Sequence, residues 1–146
     1  MAFPYKTILC PADFDENSLV ALDEAVELAN HFSSKVLLLH VLPLVITIGE
    51  VPLPRAMYED QTKAARAKLE DIAIAKLAGL EHQSLLYVGD IISSILEAQK
   101  THQPDLVVIA THGRKGLTRL VLGSVAEAIL RKATCPVLTI REAPRS

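Results

Sequence analysis

The feature that most constrains the fold is a run that is apolar at every position, Leu106-Val107-Val108-Ile109-Ala110. A strand with one solvated face alternates apolar and polar residues, whereas a strand in a parallel α/β sheet is covered on both faces. Further short apolar runs stand at 7–10, 36–41, 84–88 and 137–140, and segments of helical periodicity separate them. Asn17 or Ser18 is expected to cap the first of these helices. This alternation predicts crossover connections and a five-stranded parallel sheet with helices on both faces. No long linker or shift in composition divides residues 1–146, so a single domain is expected.

Composition excludes several classes of protein. Hydrophobic residues make up 50% of the chain, but aromatic residues only 4%, which argues against a stacking platform for single-stranded nucleic acid. The net charge of −2 provides no overall basic surface for DNA or RNA. The two cysteines, Cys10 and Cys135, are too few for a disulfide framework and are interpreted as structural thiols. The sequence lacks the patterns of a signal peptide and of a membrane helix, so we expect a cytoplasmic protein without nucleic-acid or membrane partners.

Candidate ligand-binding residues follow the predicted strands, because ligands of open α/β sheets bind beyond the carboxyl ends of the strands, where the strand order reverses. Pro11-Ala12-Asp13 follows the first strand, Val41 ends the second and Gly89 follows the third. The segment after the fourth strand is the most informative. It contains three of the six glycines of the chain, and no acidic residue lies between Asp105 and Glu127. Its glycines and basic residues are Gly113, Arg114, Lys115, Gly116, Arg119 and Gly123.

This segment predicts a phosphate site. Gly113 and Gly116 allow a close approach of the backbone to a ligand, and Gly123-Ser124 opens a helix whose free amides and dipole favour an anion. Two alternatives remain open. Ser124-Val125-Ala126-Glu127 also fits a capping box, which needs no ligand, and a loop of glycines and basic residues can be an exposed turn only. Neither the P-loop nor the GxGxxG nucleotide fingerprint is present.

The same residues resemble the universal stress protein family. The resemblance covers essentially the whole chain and implies a Rossmann-like open sheet of strand order 3-2-1-4-5. It is carried late in the chain by Ala110-Thr111-His112-Gly113-Arg114, Leu122-Gly123-Ser124-Val125-Ala126-Glu127 and Cys135-Pro136-Val137-Leu138, and early in the chain by Ile8-Leu9-Cys10-Pro11-Ala12-Asp13-Phe14 and Leu38-Leu39-His40-Val41.

The resemblance implies the ATP-binding branch of the family, with AMP or ADP as possible ligands. That branch carries Gly, two residues, Gly, nine residues, then Gly-Ser or Gly-Thr; Gly113 and Gly123-Ser124 match it, while Ala110 replaces the first Gly. Asp13 would then face the ribose or adenine, the Val41 backbone would meet adenine, and Mg or Mn would be held mainly by the phosphates. Ribose and base would be lined by Ile109 and Ala110, phosphates would be held by Gly113, Gly123, Ser124 and Val125, and the predicted site is completed by Pro11, Ala12, Gly89, His112, Arg114 and Gly116.

No nucleophile–base pair is evident in the sequence, so a nucleotide-binding regulatory protein of the stress response is favoured over an enzyme. Slow ATP hydrolysis, and a dimeric interaction module that binds no nucleotide, are the alternatives. The apolar strand Val137–Ile140 would lie at the outer edge of the sheet, and the family resemblance implies a homodimer through it. The apolar connection 42–54 packs either over the adenine end or on a partner, and the sequence does not choose between these.

Overall fold

The computed structural model describes residues 3–43, 47–111 and 122–141. The five strands predicted from apolar runs are all present, and the fourth has the predicted bounds. In chain order the elements are β1 (Thr7–Pro11), α1 (Glu16–Phe32), β2 (Lys35–Leu42), β3 (Thr47–Ile48), β4 (Val51–Pro52), α2 (Arg55–Lys76), β5 (His82–Val88), α3 (Ile91–His102), β6 (Leu106–Ala110), α4 (Ser124–Lys132) and β7 (Val137–Ile140).

The main sheet has five strands in the order β5-β2-β1-β6-β7, and all of its pairs are parallel. When only the strands of the main sheet are numbered, and β3 and β4 are left out, this order is 3-2-1-4-5, so the predicted fold is confirmed. The chain builds the sheet outward from β1 to β5 and then returns to the other side of β1. There Ile8 is in register with Leu106 and Leu9 with Val107. The switch point of the sheet therefore lies between β1 and β6.

Both faces of the sheet are covered, which explains the uninterrupted apolar runs. Alternate residues of each strand point to opposite faces. One face carries Ile8, Cys10, Val36, Leu38, Leu106 and Val108 against Leu22 of α1 and Leu69 of α2. The other carries Leu9, Leu37, Leu39, Val107 and Ile109 against Ile95 of α3 and Ile129 of α4. Among the residues described, no helix is both long and apolar enough to cross a membrane.

The connection between β2 and α2 contains a feature that the sequence reading missed. We predicted 42–54 only as a connection, but Thr47–Ile48 and Val51–Pro52 form a two-stranded antiparallel sheet. The turn contains Gly49, whose φ of +65° lies in the left-handed region that glycine tolerates. Val51 is 66% exposed, so its side chain is not part of either core of the main sheet.

The cysteines differ in their surroundings. Cys10 is fully buried in β1, and burial raises its pKa to about 12, so it is an inert thiol as predicted. Cys135 is only half-buried, and burial is again the main cause of its raised pKa. Both thiols are free.

Asp105 ties the start of β1 to the start of β6. Its Oδ2 accepts hydrogen bonds from the amides of Lys6 at 2.9 Å and Thr7 at 3.0 Å, and its own amide donates to the Thr7 carbonyl at 2.8 Å. We expect Asp105→Ala to lower the free energy of unfolding by about 1–3 kcal/mol, because two backbone donors lose a charged acceptor. Urea denaturation measures this loss. Asp105→Asn, which keeps an acceptor oxygen, is the control, and an unchanged midpoint for the alanine variant would contradict the assignment.

Candidate functional site

The predicted site residues that the structure describes lie along one edge of the main sheet. The Ala12 amide donates to the Leu39 carbonyl at 2.8 Å, which extends the pairing of β1 and β2 past the end of β1. The Gly89 amide donates to the Leu42 carbonyl at 3.0 Å and does the same for β2 and β5. The loops after β1, β2 and β5 therefore leave the sheet side by side, with Val41 buried at the end of β2.

The loop after β1 is held by two aromatic rings. The buried imidazole of His40 donates from Nδ1 to the Ala12 carbonyl at 2.8 Å. The Phe14 ring stacks on the same imidazole, with centroids 3.8 Å apart and planes 22° apart. Phe14 has a φ of +65°, a left-handed conformation that costs a bulky residue about 1–3 kcal/mol. The loop is thus held in a strained conformation, and its middle residue, partly exposed Asp13, is the acid predicted to face the nucleoside.

The sequence reading did not single out His40 or Phe14 as functional residues, and it placed the cap of the following helix wrongly. Asn17 or Ser18 was expected to cap α1, but Asp15 is the cap, and its Oδ1 accepts from the Ser18 amide at 2.8 Å. The other oxygen, Oδ2, is buried without a hydrogen-bond partner in the described part of the chain. A histidine inside the otherwise apolar run 36–41 was the available signal for the His40 contact.

On the other side of the switch point, α4 starts directly beside the end of β6. Thr111 follows β6, and its amide donates to the Ile140 carbonyl at 3.0 Å. The Gly123 amide then donates to the Thr111 carbonyl at 2.7 Å. This bond corrects one expectation, because the Gly123 amide closes the chain onto β6 and is not free for a phosphate. Ile109 is buried, and Ala110 is partly exposed at the end of the strand.

The start of α4 also tests the capping-box interpretation of Ser124. Gly123 is the N-cap, with φ −60° and ψ 151°, and no side chain makes the cap hydrogen bond. Ser124 is therefore the first helical residue, and Glu127 instead pairs with Arg131 at 2.9 Å. The capping-box alternative is wrong. Helix geometry leaves the first-turn amides of Ser124, Val125 and Ala126 without acceptors inside the helix, at the positive end of its dipole.

Four residues of the predicted site, His112, Gly113, Arg114 and Gly116, lie outside the residues that the structure describes. Lys115 and Arg119 lie outside them as well. Within 3–43, 47–111 and 122–141, no group of three or more His, Cys, Asp or Glu side chains is arranged to hold a metal ion.

The loop after β5 contains Asp90, a titratable residue that caps α3. Gly89 has a φ of +145°, and the Oδ2 of Asp90 accepts from the Ser93 amide at 2.9 Å at the start of α3. Hydrogen bonds from the Ser93 backbone and side chain lower the pKa of Asp90 below its ordinary 3.8. Because the pKa is lowered on folding, the charged cap stabilises the protein above the ordinary pKa and is lost as the pH falls through the lowered one.

We therefore expect the difference in Tm between the protein and Asp90→Ala to be constant from neutral pH to about pH 4 and to shrink below it. Thermal unfolding followed by circular dichroism over this range measures the difference. Asp90→Asn keeps a neutral cap and serves as the control without a titrating group. A difference that persists undiminished at the acid limit would show that ionised Asp90 is not the source.

The sheet and the loops at its carboxyl edge define a class: a doubly wound parallel α/β protein of Rossmann type, with an acidic loop after β1 and a helix N-terminus after β6 on the two sides of the switch point. Comparison with known proteins identifies the family. The universal stress protein family matches residues 4–141, and the chain belongs to this family.

Three relatives illustrate the match. Universal stress protein A homolog 1 of Coxiella burnetii is 34% identical over 140 residues, which cover 93% of this chain and 96% of the relative. The solved structure of MJ0577, from Methanocaldococcus jannaschii, has a TM-score of 0.80 at 25% identity and covers 97% of this chain and 99% of its own. A family protein from Arabidopsis thaliana, solved with AMP bound, has a TM-score of 0.65 at 22% identity, covering 94% and 92% of the two chains.

Proposed function

We propose that this universal stress protein binds an adenine nucleotide, ATP foremost and AMP or ADP as alternatives, at the switch point between β1 and β6, and serves as a regulatory module of the stress response. The observation that carries the proposal is the 2.7 Å bond from the Gly123 amide to the Thr111 carbonyl. It anchors the start of α4 at the end of β6, so the first-turn amides, which have no acceptor inside the helix, adjoin the edge of the sheet where ligands of this architecture bind.

The two sides of the switch point have complementary chemistry for a nucleotide. In our proposal Asp13 and the Val41 backbone meet the nucleoside, which needs hydrogen-bond acceptors and donors, and Ile109 and Ala110 provide an apolar wall. Phosphates occupy the start of α4, where the amides of Ser124 and Val125 and the exposed Ser124 hydroxyl are donors. Gly123 contributes by its lack of a side chain. Of the residues proposed from sequence, His112, Gly113, Arg114 and Gly116 complete the phosphate end, and Mg or Mn binds through the phosphates.

The AMP-bound Arabidopsis structure supports the proposal at the level of the fold, because the same arrangement of strands accommodates an adenine nucleotide there. The acid-free segment from Leu106 to Ala126 supports it at the level of charge, since an anion placed there meets no carboxylate from that segment. Ala110 in place of the first glycine of the family motif adds a methyl group at the end of β6, and we propose that the nucleoside tolerates it.

The direct test is to denature the purified protein and identify the small molecules released. Calorimetry then measures the affinity of the nucleotide-free protein for ATP, ADP, AMP and adenosine, with GTP as the control for the base. We expect an adenine nucleotide to copurify or to bind, and ATP to bind more tightly than adenosine because of the α4 amides. Protein that carries no nucleotide and shows no binding heat with any of the four ligands would overturn the proposal.

We also propose that the protein is a homodimer through β7. β7 is the last strand of the sheet, and Leu138 is 39% exposed on it. The carbonyls of Pro136 and Ile140 accept from the amides of Val107 and Thr111, so these residues turn their backbone toward β6. Because backbone direction alternates along a strand, Val137 and Thr139 turn theirs to the outer edge of the sheet, where no described strand pairs with β7 and a second copy can pair. We further propose that the protein is located in the cytoplasm, and its two free cysteines support this location.

A further inference from the structure

One buried histidine makes both of the contacts that flank Asp13. His40 lies in β2 with 4% of its surface exposed, surrounded in sequence by apolar residues of the core. Its Nδ1 donates to the Ala12 carbonyl, and its ring stacks on Phe14. The same imidazole therefore contacts both the residue before Asp13 and the residue after it.

Further contacts of Ala12 and Phe14 hold the loop in addition to these two. The Ala12 amide donates to the Leu39 carbonyl at 2.8 Å, so both backbone groups of Ala12 bind consecutive residues of β2. The ring of Phe14 packs at the margin of the core on the α1–α2 face, and Lys68 of α2 lies 6.0 Å from its centroid on the limit of a cation–π contact. The residue with the left-handed φ is thus held by contacts on its ring, which is the condition under which such a conformation persists.

Packing of the β2 side chains does not by itself require a histidine here. Leucine at this position would continue the apolar run of β2 and would add no polar atom of its own to the core. The imidazole has a ring for Phe14 and a donor for the Ala12 carbonyl at the same time, and the Ala12 carbonyl would lose its buried donor without it. The chemistry of His40 therefore serves the conformation of the loop and not the packing of the sheet.

We infer that His40 is a positioning residue for nucleoside recognition: it holds the Ala12–Phe14 loop in the strained conformation that presents Asp13 at the switch point. This role rests on the proposed nucleotide site and deepens it, because it makes the adenosine half of the site depend on a residue of the core. The phosphate half depends on α4 and is independent of His40.

Three variants test the role. His40→Leu removes both the hydrogen-bond donor and the stacking ring, whereas Phe14→Leu removes only the stacking. His40→Asn restores a donor, because the amide nitrogen of asparagine lies near the position of Nδ1. Calorimetry with ATP and with adenosine is the binding measurement. Hydrogen exchange at the amides of residues 13–16, in nucleotide-free protein, reports the loop without any ligand.

We expect His40→Leu to lower the affinity for ATP and for adenosine by the same factor, about tenfold or more. Hydrogen exchange in the loop should become faster while the β2 amides stay protected. Phe14→Leu should lower both affinities by about threefold, and His40→Asn should bind both ligands more tightly than His40→Leu. Folded His40→Leu with undiminished affinity for adenosine, or a loss confined to ATP, would overturn the positioning role while leaving the nucleotide site in place. A parent protein that binds no adenine nucleotide overturns the proposed function and this role together.

Discussion

Gly123→Val is expected to lower the affinity for ATP by about 100-fold or more, because it places a branched side chain at the N-cap of α4, directly before the Ser124 and Val125 amides that we propose for the phosphates. Gly123 is buried, and its φ of −60° and ψ of 151° are accessible to valine. The effect therefore comes from the bulk of the side chain and not from backbone strain. Calorimetry measures it, and a folded variant with parental affinity would place the phosphates elsewhere.

A gentler variant isolates the amides themselves. Ser124→Pro removes one first-turn N–H, and proline suits the first helical position because that N–H has no partner within the helix. Gly123 already has the extended conformation that the residue before a proline requires. Ser124→Ala is the matched control, since it loses the hydroxyl and keeps the amide. We expect the proline variant to bind ATP more weakly than the alanine variant, and both to bind adenosine like the parent; equal ATP affinities would contradict a phosphate contact to this amide.

Thr139→Pro is expected to convert the proposed homodimer into monomers. The Thr139 amide faces the open edge of β7, so a proline there removes a donor toward the partner while the bonds from Val107 and Thr111 to β7 remain. Thr139→Val keeps the amide and should stay dimeric. Light scattering at several concentrations measures the change. A parent protein that is monomeric throughout, or a proline variant that stays dimeric, would show that β7 is not the interface.

Much of the fold followed from the sequence because its signals are local. The apolar run at Leu106–Ala110 marks a strand covered on both faces, and β6 has those bounds. The hairpin of β3 and β4 was missed because each strand has only two residues, too few for periodicity to register. Its one signal was Gly49 between Ile48 and Val51, a turn residue close to β-branched ones.

The site was less predictable because its contacts are distant in sequence. His40 and Ala12 are 28 positions apart, and nothing near either residue specifies the bond between them. The caps of α1 and α4 were misjudged for a different reason: several side chains of suitable type stand near each helix start. Asp15 caps α1 in preference to Asn17 or Ser18, and Gly123 caps α4, so that Ser124 falls inside the helix.

The return of the chain to β1 has a consequence for its synthesis on the ribosome. Thr7 and its partner Asp105 are 98 positions apart, so β1 emerges about 5–20 s before the strand that completes its second edge. During that interval β1 can pair only with β2, and its other edge is an open row of amides and carbonyls flanked by apolar side chains. Aggregation during expression should therefore depend on how fast the C-terminal strands are translated, and slowing translation after Val88 should reduce the soluble yield.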